Sequence, residues 1–525
     1  MRCIIKKVPL HNFVQLSLGE KVAIPDVSIG ELFFRAVEKF GNKTAVIHDS
    51  RQYDYCEIDK KSNSLACEIS LGGVEKGDIV FCCIPASVDL IISLLAIMKS
   101  GAVYVPVDCS WPISYLKSMI DSVNPKLILI HSISEEISNI FDNCLKVDYY
   151  ELGNVAHFSM ARVEKNEPVY GIFTSGSTGK SKCCLNTSVG LLNRLQYMSK
   201  RYGVRSSDVI LLNSKPMFDA SLWQILWPLL NGAMVVVPKD NENFFPPLLC
   251  DLIETYHITM TDFIPSVFQL FTDHLKMNRS DYDKLKSLRQ ILIGGEKICV
   301  QAVNWFKTNF LHVGITNTYG PAECSIGTIF YEVNQEMNKK IPIGTPIDNV
   351  VALILDDYLV PVAFGEPGEI YLGGICVGLG YLNNPKITVR AFVKNTFCHI
   401  EGAFIYRTGD RGRYMPDGTI EFLGRLDSQI KINGRRLEID GIENAILSLD
   451  HVRNVYVFVN NLPNHQMELC ACVRLKENID QDVCMRKLSD MLPSEWIPAR
   501  VFFVENWPLN TNGKTDCLQL KKLFD

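Results

Sequence analysis

Short apolar runs alternate with stretches of helical spacing along most of the chain. Ala102–Asp108, Leu127–Ile130, Val209–Leu212 and Met234–Pro238 are brief aliphatic runs bounded by polar or turn residues, and they read as strands. Ile113–Val123 and Pro247–Tyr256 carry their apolar residues at amphipathic helical spacing. Alternating strand and helix units predict α/β layers with largely parallel sheets. The apolar stretch Ile79–Met98 is long enough to span a bilayer. Pro85, Ser87 and Asp89 interrupt its centre, where a charge is costly, so it reads as a buried strand, a turn at Pro85–Ser87 and a helix packed on a sheet.

The pattern changes near Gly424. A short polar link, Gly424–Ser428, precedes Ile430–Ile432. Beyond it the strand patterns Val452–Val459 and Leu469–Val473 mix with the helical patterns Gly441–Ser448 and Val483–Met491, which predicts a small α+β domain. The boundary is placed at Asp427: a large N-terminal domain over 1–423, a link over 424–428 and a small domain over 429–525.

The chain has 525 residues, 47% hydrophobic and 21% charged, an ordinary globular balance that argues against disorder. The net charge of −5 provides no whole-molecule basic field, which disfavours nucleic acid as a partner. The 18 cysteines are scattered, with no CxxC pair and no zinc-ligand spacing, and read as reduced, mostly buried thiols of a cytoplasmic protein. No apolar run of signal-peptide length opens the chain, and no membrane association is expected.

Four segments carry chemistry. In Ile172–Lys182 a strand ending at Phe173 leads into Thr174, Ser175, Gly176, Ser177, Thr178 and Gly179, closed by Lys180 and Lys182. Glycines let backbone N–H groups approach an anion, and hydroxyls and lysines add donors and charge, so this is a phosphate cradle. Only two residues separate its glycines, so it is not a P-loop. Asn317–Glu323 turns at Gly320-Pro321 and presents Glu323, a carboxylate able to hold magnesium, beside Tyr319, an aromatic able to stack on a base. Tyr406–Asp410, followed by Arg425 and Asp427, offers a carboxylate after a tight turn that can accept both hydroxyls of a ribose. Pro508–Lys514 sets a lysine at a glycine turn.

Together these segments resemble the adenylate-forming superfamily, the acyl- and aminoacyl-AMP ligases, and more closely an adenylation domain of nonribosomal peptide synthetases. The resemblance runs from about Ile29 to Lys522 and also takes in Tyr53–Glu57, Met98–Asp108, Leu288–Glu296 and Gly424–Glu443. It implies the adenylate-forming fold, a large N-terminal domain of layered α/β sheets with a small mobile C-terminal domain. It implies ATP and magnesium as well. Thr174–Lys182 would wrap the ATP phosphates, although Ser181 and Cys183 replace the family's usual Pro and Gly. Gly294, Gly295, Glu296, Asn317 and Tyr319 would frame the adenine, Asp410 and Arg425 the ribose, and Glu323 with Thr178 the metal. Asp427 would be the hinge, and Lys514 the catalytic cation bridging carboxylate and α-phosphate.

The same resemblance places Asp219, within Phe218–Trp223, on a substrate α-ammonium; acyl ligases generally lack this Asp. The amino-acid pocket would comprise Asp219, Ala220, Trp223, Asp262, Leu292, Gly294, Thr318, Ile326 and Gly327, with Lys514 on the carboxylate. Asp262 is the charged exception beside Asp219. It suggests a Lys, Orn, Arg or Gln substrate, unless it bonds to backbone or to Thr318 and the substrate is neutral. Eleven residues follow Lys514 and include no carrier-protein motif, so a separate carrier protein is expected to supply the phosphopantetheine thiol. The alternatives are an acyl-CoA ligase for a small carboxylic acid and a non-catalytic nucleotide-binding homologue.

Overall fold

The computed structural model describes residues 18–131, 141, 143–175, 181–239, 245–337, 340–397, 400–427, 429–432, 435–461, 467–476, 481–508 and 515–523. The chain divides into two compact units. The first runs to Asp108 and continues through Pro125–Phe173 and Cys183–Leu426; the second comprises Cys109–Asn124, Thr174–Lys182 and Asp427–Asp525.

Two mainly parallel sheets dominate the first unit. A seven-stranded sheet takes the order Gly380–Tyr381, Lys182–Thr187, Pro168–Thr174, Val103–Pro106, Ile79–Cys83, Leu127–Ile130 and Cys144–Lys146. A nine-stranded sheet takes the order Thr345–Pro346, Ile329–Glu332, Gly314–Tyr319, Gln290–Gly294, Met260–Phe263, Val209–Leu211, Met234–Val237, Thr44–His48 and Arg51–Asp54. The stretch that is long enough to span a bilayer is instead the strand Ile79–Cys83 and the buried helix Val88–Ser100. Ser87 caps that helix by accepting from Leu90 N–H, and Gly101 at φ 77° ends it in the left-handed conformation that glycine adopts most readily. Among the described residues no helix is long and apolar enough to cross a membrane.

The expectation of largely parallel sheets misses a third one. Val350–Leu355, Gly368–Gly374, Phe404–Tyr414, Phe392–Lys394 and Ile420–Arg425 form a sheet whose described pairings are all antiparallel. Its consecutive strands Val350–Leu355 and Gly368–Gly374, and Phe404–Tyr414 and Ile420–Arg425, are joined without an intervening helix, and strands linked directly pair antiparallel.

Side-chain alternation along the central strands of the nine-stranded sheet sorts residues onto two faces. Met260 and Leu292 join one core with Trp223, Trp227, Leu191 and Ile326. Phe263, Ile291, Ile293 and Ile315 join another with Phe268, Phe271 and Phe306. Register places Asp262 beside Leu292 and Leu292 beside Thr316, all on the first face. Gly294 stands beside Thr318, and Thr318 beside Phe330, also on that face.

The second unit holds the hairpin Gln429–Ile432 with Arg435–Glu438 and a three-stranded sheet of Val452–Asn461, Met467–Leu475 and Arg500–Phe503. Helices Ile439–Leu447 and Gln481–Ser489 accompany them, and Ile442, Ile446, Ala471, Val473 and Leu488 build its core.

Candidate active site

In open α/β sheets ligands bind at the carboxyl ends of parallel strands. The strands Met260–Phe263, Gln290–Gly294 and Gly314–Tyr319 are mutually parallel, and the expected site residues Asp262, Gly294, Thr318 and Tyr319 lie toward those ends. At Gly294 an added Cβ would stand 2.2 Å from Thr318 Oγ1 and 2.7 Å from Thr318 O, so only glycine fits beside that strand. Gly295 follows at φ 93°, and Glu296 accepts from Ser266 N–H at 3.4 Å.

The expected ribose site is assembled within the first unit. Asp410 and Arg425 are register partners on adjacent antiparallel strands, and Arg425 Nη1 donates to Asp410 Oδ1. Tyr319 donates its hydroxyl to Asp410 Oδ2 at 2.5 Å. Burial, and then the Asp410 carboxylate beside it, push the Tyr319 hydroxyl well above its ordinary range, so it remains a donor. A carboxylate has about four lone-pair directions, so Asp410 held by two donors keeps acceptor capacity for a diol. Asn317 faces the other side of its strand, and its amide donates to Pro342 O at 2.8 Å. Glu323 is fully buried in a short turn and accepts from Tyr381 Oη–H at 2.7 Å. Hard carboxylate oxygen is the donor type that magnesium takes, so this residue fits the metal role.

On the amino-acid side, Asp219 immediately precedes the helix Ala220–Leu230 and already has helical φ and ψ. Four positions on, Trp223 is fully buried and donates its indole N–H to Asp262 Oδ2 at 3.1 Å. The side-chain partner of Asp262 is therefore Trp223 and not Thr318, whose hydroxyl donates to Ile293 O at 3.3 Å. Burial pushes the Asp262 carboxyl up to about 7, against the pull of the Trp223 indole, the Arg194 guanidinium and the Phe263 amide. Ser325 and Ile326 hold φ of 57° and 71°; for a β-branched residue such as Ile326 this is a strained conformation, typical of functional loops. Gly327 comes next, where a Cβ would meet Phe330 at 2.9 Å.

The described ends of the phosphate loop belong to the second unit. Thr174 Oγ1 donates to Lys182 O at 3.5 Å, and Ser175 is buried. Lys182, expected on phosphate, donates to Glu438 at 3.3 Å, a buried ion pair to which Gln429 also donates. Asp427 is exposed and accepts from Gln429 N–H at 3.2 Å. Gly176, Ser177, Thr178, Gly179, Lys180 and Lys514 lie outside the described residues.

Sequence reasoning passes over Tyr381 and Arg194. Tyr381 lies in a two-residue strand with no motif of its own. Arg194 does leave a signal, a lone charge inside the apolar run Leu191-Leu-Asn-Arg-Leu195.

The layered sheets are those of the adenylate-forming fold. The chain belongs to the AMP-binding enzyme family, whose pattern it matches over residues 33–382, and its relatives include nonribosomal peptide synthetase proteins that contain adenylation domains. It is 31% identical to zwittermicin A synthase ZmaJ of Bacillus cereus over 498 residues, covering 93% of each chain. It is 30% identical to vanchrobactin synthetase VabF of Vibrio anguillarum over 514 residues, which is 94% of this chain but only 18% of that much longer protein. The structure of holo-PA1221, a nonribosomal peptide synthetase protein containing adenylation and PCP domains, superposes with a TM-score of 0.84 at 25% identity, covering 94% of this chain and 84% of that one.

Proposed function

We propose that the protein activates an α-amino acid with ATP and loads it onto a carrier protein supplied by another chain. In the first step a substrate carboxylate oxygen attacks the α-phosphorus, the bond to the bridging oxygen breaks, and pyrophosphate leaves. In the second the pantetheine sulfur attacks the acyl carbonyl, the thiol proton is lost, and AMP departs. Asp219 holds the α-ammonium, which needs a counter-charge once desolvated. Asp410, steadied by Tyr319 and Arg425, takes the ribose hydroxyls. Glu323 holds magnesium, which when bound neutralises phosphate charge. Lys514 bridges the two reacting oxygens, offsetting repulsion between anions and aligning them.

The observation that carries the amino-acid reading is the placement of Asp219 one helical turn before Trp223, on the same helix face as the residue that holds Asp262. Adenylation and carrier domains in the holo-PA1221 protein support the acceptor class. The test is ATP–pyrophosphate exchange with each proteinogenic amino acid, ornithine and simple carboxylic acids, followed by aminoacyl transfer to an isolated holo carrier domain. Exchange driven by one amino acid and lost in Asp219→Ala is the expected result. Exchange driven only by acids lacking an α-amino group, with transfer to coenzyme A, would replace this reading with an acyl-CoA ligase.

A further inference from the structure

Arg194 lies on the helix Ser188–Tyr202 and is 2% exposed. Its Nε and Nη1 are buried and have no hydrogen-bond partner among the described residues. The guanidinium stacks over Phe330 at 4.4 Å from the ring centre. A buried cation without hydrogen-bonding partners is unfavourable, and an aromatic face offsets only part of that. The position is not remote from chemistry. A Cβ built on Gly327 would lie 3.7 Å from Arg194 Nε, and Phe330 shares a sheet face with Thr318 and Gly294. Asp262 and Asp219 both feel the charge of Arg194, but the carboxylate of Asp262 already takes the Trp223 indole.

We propose that Arg194 is a specificity-determining residue beside Gly327 and Asp262 of the proposed amino-acid pocket. Its unpartnered N–H groups select an amino acid whose neutral side chain carries a hydrogen-bond acceptor, above all a carboxamide. The inference rests on the amino-acid reading above and narrows it. A carboxamide oxygen accepts from Arg194 while its NH₂ donates to Asp262, so one group satisfies both. A Lys, Orn or Arg side chain would bring a second cation against Arg194, and an aliphatic one would leave the guanidinium unpaired. Sites built to hydrogen-bond a substrate group reject analogues that lack it far more strongly than apolar pockets reject a size change.

The experiment is pyrophosphate exchange with wild-type protein, Arg194→Met and Arg194→Lys over the amino-acid panel, with melting temperatures recorded for each. The wild type should respond best to Gln or Asn. In Arg194→Met, kcat/KM for that amino acid should fall at least tenfold, mainly through KM, while the weak response to Ala or Val rises. Arg194→Lys should recover part of the loss. A wild type that prefers an aliphatic or cationic amino acid overturns the inference. So does an equal loss for every amino acid in Arg194→Lys, the arm that decides if Arg194→Met does not fold. Exchange only with acids lacking the α-amino group is a separate failure: it removes the amino-acid reading, and this inference falls with it.

Discussion

Tyr319 and Asp410 stand 91 positions apart in the chain and share a 2.5 Å hydrogen bond that fixes one oxygen of the carboxylate. Because Arg425 fixes the other, Asp410 has little freedom to turn. Tyr319→Phe removes one tether and leaves the ring in place. A single hydrogen bond contributes about 1 kcal/mol, roughly fivefold. The KM for ATP is therefore expected to rise by that order with a smaller change in kcat, read from initial rates over an ATP series.

Glu323 and Tyr381 form a buried pair in which the phenol orients the carboxylate. Removing a group that orients a metal ligand typically lowers metal affinity by roughly 10–100-fold. Tyr381→Phe should raise the magnesium concentration for half-maximal exchange within that range, and Glu323→Gln should raise it further. An unchanged magnesium titration in Glu323→Gln would remove this residue from the metal role.

Asp262 gives a stability prediction with a definite sign. Its carboxyl titrates near 7 in the folded chain and near the ordinary aspartate range when unfolded. The folded state therefore binds more protons between these values, and stability attributable to this group falls as pH rises from about 4 to about 7, by up to about 1.4 kcal/mol per unit. Asp262→Asn keeps an oxygen for Trp223 and abolishes the titration. Its melting temperature relative to wild type should be higher at pH 8 than at pH 5. A difference independent of pH would contradict the shift.

Lys99 is fully buried and donates to Asp59 at 2.7 Å, Ser62 at 2.7 Å and Asn63 at 2.8 Å. Lys99→Met would leave the Asp59 carboxylate buried without its cation. Breaking a buried pair from one side costs about 3–5 kcal/mol, so chemical denaturation should show a loss of that order.

Lys514→Ala should lower exchange by roughly 10²–10³-fold, the cost of removing one group that stabilises developing charge. Circular dichroism of the variant should match wild type, which separates a lost catalytic group from a lost fold.

The alternating strands and helices are legible because parallel sheets buried on both faces need near-continuous apolar runs, as in Val103–Pro106 and Leu127–Ile130. Asp410 and Arg425 stand out in the sequence because they sit in distinctive short motifs, and the structure pairs them. What is not legible depends on pairing across long separations. Nothing local in Met260–Phe263 says that Asp262 will meet the indole of Trp223, 39 positions earlier. The antiparallel sheet escapes notice because its strands do not advertise partners until the connections between them are known. Lys182 reads as a phosphate ligand from its loop alone, which cannot show Glu438, 256 positions away.

The two faces of the central strands have a consequence for how such a chain can change. Along Met260–Phe263 and Gln290–Gly294, residues facing the core around Trp223 alternate with residues locked into the opposite core. Under the proposed function a substitution at Asp262 or Leu292 would alter the amino-acid pocket, while its neighbours Phe263 and Ile293 go on anchoring the sheet. On that reading, substrate preference and folding are written in interleaved letters of the same strands, so one can drift by point mutation without rewriting the other.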